Sequence, residues 1–158
     1  MMADKQSGNE MIRVAFGSDH AGFGLKEACV ALLAGRGGME ITDMGVYGVD
    51  SSDYPLIAHQ VAAGVAEGLF HRAVLICGTG IGVSIAANRH KGVRAALCHN
   101  LYTVRMARMH NDANILAMGS RVIGEGLALE MVDLFLDAPF EGGRHSRRLG
   151  LIEEIPCR

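Results

Sequence analysis

The chain has 158 residues, 49% hydrophobic and 20% charged, which is enough apolar material for one globular domain with a proper core. It carries no tryptophan, only 5% aromatic residues and a net charge of −2, so it lacks both the stacking platform and the positive field that nucleic acid or an anionic membrane would require. No apolar run approaches the roughly 20 residues of a membrane span.

In chain order, Met1 to Glu10 are polar and read as a disordered extension, leaving 11–158 as a single domain. Ile12 to Phe16 predicts the first strand, followed by a Gly-rich turn and a helix near Gly24 to Ala34. Met39 to Met44 is a second, weaker strand. Tyr54-Pro55 opens a helix, with proline at a first-turn position and Ile57, Val61 and Val65 on one face. Ala73 to Cys77 is the third strand, and a glycine loop then leads into a short helix to about Asn88. Val93 to Leu97 is the fourth strand, Leu101 to Met109 a helix, and Asn114 to Ala117 the fifth strand. A helix from about Glu125 to Leu136 and an Arg-rich, helical tail from Gly142 to Ile155 complete the chain.

Alternation of this kind predicts a parallel sheet with helices on both faces. Ligands of such sheets sit beyond the carboxyl ends of the strands. The segments to read are therefore Gly17-Ser18-Asp19-His20, Cys77 to Gly82, Cys98-His99-Asn100 and Gly119-Ser120-Arg121.

The richest of these is Cys77-Gly-Thr79-Gly-Ile81-Gly82. A thiol stands where the strand stops, beside a turn whose N–H groups can face an anion with a helix N-terminus behind them. A helix N-terminus favours the thiolate of a cysteine, although a lone cysteine is more often a small buried hydrophobe. Thr79 either satisfies the turn or donates to a developing oxyanion. Val83 stands where a dinucleotide fingerprint needs its third glycine, no acid follows about 20 residues on, and no lysine makes a Walker loop. No cofactor is therefore implied. The cysteines (Cys29, Cys77, Cys98 and Cys157) show no zinc spacing, predict no metal, and suit a cytoplasmic protein with reduced thiols.

Asp19-His20 is either a helix cap with an exposed histidine or a pair able to bind sugar hydroxyls and move protons. His110-Asn111-Asp112 alone would be ordinary loop polarity. Arg144 and Arg148, four apart, share one helical face and can clamp a phosphate, with Arg121 a possible third cation; a solvated terminal helix is the plainer alternative. His59, His71 and His90 have no motif and read as surface residues, and neither His99 nor His145 is assigned a role.

Seven segments, in register, closely resemble the type B ribose-5-phosphate isomerases within the wider family that includes the galactose-6-phosphate isomerase subunits. They are Gly17-Ser-Asp-His-Ala-Gly-Phe23, Asp53-Tyr-Pro55, Ile76-Cys-Gly-Thr-Gly-Ile-Gly82, Ile85-Ala-Ala-Asn88, His110-Asn-Asp112, Gly119-Ser-Arg-Val122 and Glu141-Gly-Gly-Arg-His145. The resemblance spans about Met11 to Ile155. It implies an α/β fold, a Rossmann-like three-layer α/β/α sandwich with a five-stranded parallel sheet. It also implies a metal-free aldose–ketose isomerase that works through an enediolate.

By the same resemblance, Cys77 matches the base that moves the proton between C1 and C2. Thr79 and the N–H groups of Gly78, Gly80, Ile81 and Gly82 would hold the enediolate oxygen. His110 matches the acid that helps open the furanose ring, and Asp19 lies close to the sugar. His20, Arg121, Arg144 and Arg148 match phosphate ligands, and Tyr54 and Asn111 match sugar contacts. A second branch of the family has a glutamate where Val83 stands, so this chain depends on Cys77.

His110 follows a helix that should run back toward the opposite edge of the sheet. The family and that geometry together imply a homodimer, or a tetramer built from dimers, with each active site shared between subunits. Ribose 5-phosphate is the expected substrate. The alternatives are another aldose phosphate, such as allose 6-phosphate or galactose 6-phosphate, and a non-catalytic phosphosugar-binding module.

Overall fold

Strand-length apolar runs alternate with helix-forming segments along the whole chain, and the fold follows that alternation. In the computed structural model, which describes residues 11–154, the order is β1 (Ile12–Ser18), α1 (Phe23–Leu33), β2 (Met39–Asp43), α2 (Tyr54–Ala66), β3 (Arg72–Cys77), α3 (Ile81–Ala87), β4 (Ala95–Leu97), α4 (Leu101–Asn111), β5 (Ile115–Gly119), α5 (Glu125–Asp137) and α6 (Arg144–Glu153). The expected extension over Met1 to Glu10 lies outside the described residues, as does Cys157. The sheet is entirely parallel in the order β2-β1-β3-β5-β4.

Side chains alternate between the faces of each strand, so two cores form. Val14, Phe16, Val74, Ile76, Leu116 and Met118 pack with Cys29, Leu33, Val104, Met131 and Phe135 on one side. Ala15, Ala73, Leu75, Cys77, Ile115 and Ala117 pack with Ile57, Val61, Val65, Val83 and Ala87 on the other. The helices thus divide into α1, α4 and α5 against α2 and α3, giving the three-layer sandwich. Each fully buried Val, Leu or Ile contributes about 1.5–3 kcal/mol to holding these layers together.

The strand limits differ from the sequence expectation at places that bear on the site. β1 continues through Gly17 and Ser18, because both pair with β3 at Leu75 and Ile76. β5 starts one residue later and runs on to Gly119, pairing Cys77 with Gly119. β4 begins only at Ala95, because the Arg94 N–H is taken by Asn114 Oδ1. α4 continues through His110 and Asn111, which are helical rather than loop residues.

From β1 the chain steps outward to β2 and then crosses back to β3 on the other side of β1. The crevice between the carboxyl ends of β1 and β3 is therefore a topological switch point, where open α/β sheets bind ligands. α4 starts after the carboxyl end of β4 and ends just before β5 begins, so its last turn lies at the amino end of the sheet. β5 has five residues, and about 3.3 Å per residue separates the two ends of the sheet by roughly 13 Å.

Candidate active site

At the end of β3 the Cys77 side chain turns toward the α2–α3 side and is 5% exposed. The loop after it folds back so that Gly80 N–H donates to Cys77 Sγ at 3.1 Å. Gly80 has φ 77°, and a Cβ there would lie 2.8 Å from the backbone of Met118, so the turn requires glycine. Thr79 is exposed, and its Oγ1 accepts the Ile81 N–H at 3.2 Å, which leaves its own proton free to donate outward. α3 begins directly behind this loop. Val83 is fully buried in the core and offers no group that could act as a base.

Two other cysteines lie among the described residues, Cys29 and Cys98. Burial pushes the Cys29 thiol up to about 12, and burial also raises Cys98. Both lie in the core on the other face of the sheet.

Asp19 and His20 follow β1 on the other side of the crevice. Asp19 is 7% exposed, and its Oδ1 accepts the Gly22 N–H at 3.0 Å, which fixes the turn into α1. Asp19 N–H donates to Ile76 O on the neighbouring strand, tying this turn to the one bearing Cys77. His20 is held by Ser52, whose N–H donates to His20 Nδ1 at 3.2 Å. Tyr54 lies across the start of α3, so close that a Cβ on Gly82 would meet its ring at 2.5 Å. Arg121 reaches over Gly78 from the end of β5, 3.5 Å from where a Cβ would stand. Cys77, Thr79, Asp19, His20, Tyr54, Arg121 and the glycine loop are thus gathered around one end of the sheet.

His110, Asn111, Arg144 and Arg148 are not part of that gathering. They form a second cluster at the amino end of the sheet, where α4 ends and α6 begins. Asp112 terminates α4 in the left-handed conformation at φ 42°, clamped by Arg108 Nη1 at 2.8 Å and Arg94 Nη2 at 3.1 Å. Arg94 Nε also donates to Asn111 O at 3.1 Å, and Arg94 reaches Glu153 at the far end of α6.

The His110 ring is stacked on His145, with centroids 4.2 Å apart and planes 7° from parallel. Glu141 Oε2 lies 3.7 Å from His110 Nε2 and 3.4 Å from His145 Nε2. Arg144 Nε donates to His145 Nε2 at 3.4 Å. Burial first, then the neighbouring His110 and Arg144, hold the His145 imidazole below the ordinary histidine range. Arg144 and Arg148 themselves are exposed.

Reading the sequence missed Ser52, Glu141 and His145. Glu141 and His145 stand four residues apart, the one local signal that could have paired them. His71, expected at the surface, is half-buried, and its Nδ1 accepts the Arg13 N–H at 3.0 Å. A cavity of about 750 Å³ opens between the β4 edge and α6; it has Asn111 on its wall and does not reach Cys77. Its walls carry Arg89, His90, Lys91 and Arg94 but no thiol and no glycine loop, both of which stand at the strand-end crevice.

The Ribose/Galactose Isomerase family model matches residues 14–152. The chain is 49% identical over 148 residues to ribose-5-phosphate isomerase B of Escherichia coli (strain K12), covering 94% of this chain and 99% of that protein. A solved structure of Clostridium thermocellum ribose-5-phosphate isomerase B matches with a TM-score of 0.87 and 50% identity, covering 90% of this chain and 95% of that one. The Mycoplasma genitalium ribose-5-phosphate isomerase B, solved with bound ribulose-5-phosphate, matches with a TM-score of 0.86 and 40% identity over 90% of this chain and 94% of that one. With its sheet order, its glycine loop and these likenesses in agreement along nearly its whole length, the chain belongs to the ribose/galactose isomerase family.

Proposed function

We propose that this chain interconverts D-ribose 5-phosphate and D-ribulose 5-phosphate through an enediolate, with Cys77 as the general base. The observation that carries this reading is a thiol at the end of β3, in a loop whose Gly80 N–H is already aimed at its sulfur. Sugar-phosphate isomerisation needs a base at the reacting carbons, donors for the developing oxyanion and cations for a remote phosphate. Cys77 takes the proton from C2 of the open-chain aldose and returns it to C1, while the O2 hydroxyl proton moves to O1. Thr79 Oγ1 and the loop N–H groups that remain free steady the oxygen that becomes negative. Asp19 and Tyr54 border the sugar, and His20 and Arg121 face the phosphate.

The remaining groups come from a second copy of the chain. His110 stands at the opposite end of the sheet from Cys77, too far to reach the same sugar within one subunit. In a two-fold dimer, the partner subunit's His110 donates the proton that opens the ring. Asn111 of the partner subunit contacts the sugar, and Arg144 and Arg148 of the partner subunit grip the phosphate. Exposed apolar side chains flank both clusters, which supports this pairing: Ile81 and Ile85 beside the Cys77 loop, Leu151 and Ile152 on the helix that carries the arginines. No helix of the described residues is long and apolar enough to cross a membrane. The described cysteines are all free, which suits a cytoplasmic protein.

The test is a panel of five- and six-carbon aldose phosphates assayed with purified protein in excess chelator. Ribose 5-phosphate should be turned over with the highest kcat/KM. A preference for a six-carbon phosphate would reassign the substrate, and turnover of none would leave only a phosphosugar-binding role.

A further inference from the structure

We propose that His110, Glu141 and His145 form an inhibitory binding site for zinc. The proposal rests on reading His110 as the proton donor for ring opening, since an ion bound at its Nε2 would remove that proton. The three ligand atoms lie within 4.8 Å of one another. A tetrahedral zinc with bonds of about 2.0–2.2 Å holds its ligand atoms about 3.3 Å apart. Glu141 Oε2 already stands 3.4 and 3.7 Å from the two imidazole nitrogens. Burial fixes His145, whereas Glu141 is exposed and His110 partly so; the His110 ring can tilt out of the stack to converge on an ion.

Two imidazoles and one carboxylate suit zinc and reject magnesium and calcium, which take oxygen ligands. Three protein ligands leave a fourth position open to water. His145 Nε2 now accepts from Arg144 Nε, so an ion must displace that guanidinium, which is exposed and free to swing away. Arg144 is also assigned to the phosphate, so zinc disturbs substrate binding and ring opening together.

The test uses chelator-stripped full-length protein. Cobalt(II) should give the intense visible absorption of a four-coordinate site, and zinc should abolish it. Zinc should also inhibit turnover, and chelator should restore it. Zinc affinity, measured by competition with a chromogenic chelator, should fall about 10-fold or more in Glu141→Gln. It should be unchanged in Cys77→Ser, which removes the thiol as a rival ligand. Unchanged affinity in Glu141→Gln, or loss of the site in Cys77→Ser, overturns the proposal. The cobalt spectrum is read without turnover, so failure of the isomerase reading is seen separately, as absent activity in stripped protein with the metal site intact.

Discussion

Ser52 and His20 hold each other by two hydrogen bonds: His20 N–H donates to Ser52 Oγ at 3.1 Å, and Ser52 N–H donates to His20 Nδ1 at 3.2 Å. Because Nδ1 is an acceptor, the neutral ring carries its proton on Nε2, where it serves as a donor to an anion. Ser52→Ala removes the bond from the His20 N–H, keeps the backbone bond to Nδ1, and so loosens the turn that carries the ring. KM should rise about 3- to 10-fold with little change in kcat, the scale of one neutral hydrogen bond. Steady-state kinetics check this, and an unchanged KM would show that the Ser52 hydroxyl has no part in positioning His20.

Cys77→Ser should lower turnover by about 100-fold or more while substrate still binds. Iodoacetamide should label Cys77 before Cys29 or Cys98, and bound ribose 5-phosphate should protect it. Burial holds Cys29 at about 12, so its thiolate is roughly one part in ten thousand at pH 8. Peptide mapping after brief labelling reads the order, and near-normal turnover by Cys77→Ala would remove Cys77 from the mechanism.

Arg144→Ala and Arg148→Ala should each raise KM about 10- to 100-fold, as expected for the loss of a charge-assisted bond to phosphate. Lys replacements should rescue only partly, because an ammonium lacks the forked geometry of a guanidinium. Inorganic phosphate should compete with substrate in the parent protein. If both Ala variants keep the parental KM, these side chains are a solvated helix face and nothing more.

The His145 imidazole is held below the ordinary histidine range in the folded chain, by burial and then by His110 and Arg144. As pH falls through about 6.5, the unfolded chain gains a proton that the folded chain declines, so stability is lost toward acid. The urea midpoint should therefore drop between about pH 7.5 and pH 5, and His145→Asn should drop less steeply. Parallel slopes for the two proteins would show that His145 does not carry the effect.

Local signals made much of this readable in the sequence. Apolar runs marked the strands, Pro55 marked the start of α2, and alternating glycines marked the turn after Cys77. What was not readable depends on non-local pairing. Nothing in Val93 to Leu97 says that β5 inserts between β3 and β4, and that insertion lets Gly119 pair with Cys77 and brings Arg121 over Gly78. His110 reads as loop polarity because the left-handed Asp112 that ends the helix is held by Arg94, 18 residues away in sequence. His145 looked like another polar residue in an Arg-rich tail, yet it is buried against a ring from α4. Its role depends on that contact and not on its neighbours in sequence.

Cys77 and His110 lie at opposite ends of the same sheet, so an active site that uses both must draw on two chains. Cys77→Ala and His110→Ala chains, each inactive alone, should be co-refolded, and the heterodimer isolated by means of two different tags. One of its two sites then combines an intact Cys77 with an intact His110 from the other chain, and the other site has neither. The heterodimer should recover about half the parental specific activity. A verified heterodimer with no activity would place both residues in one subunit and contradict the shared site.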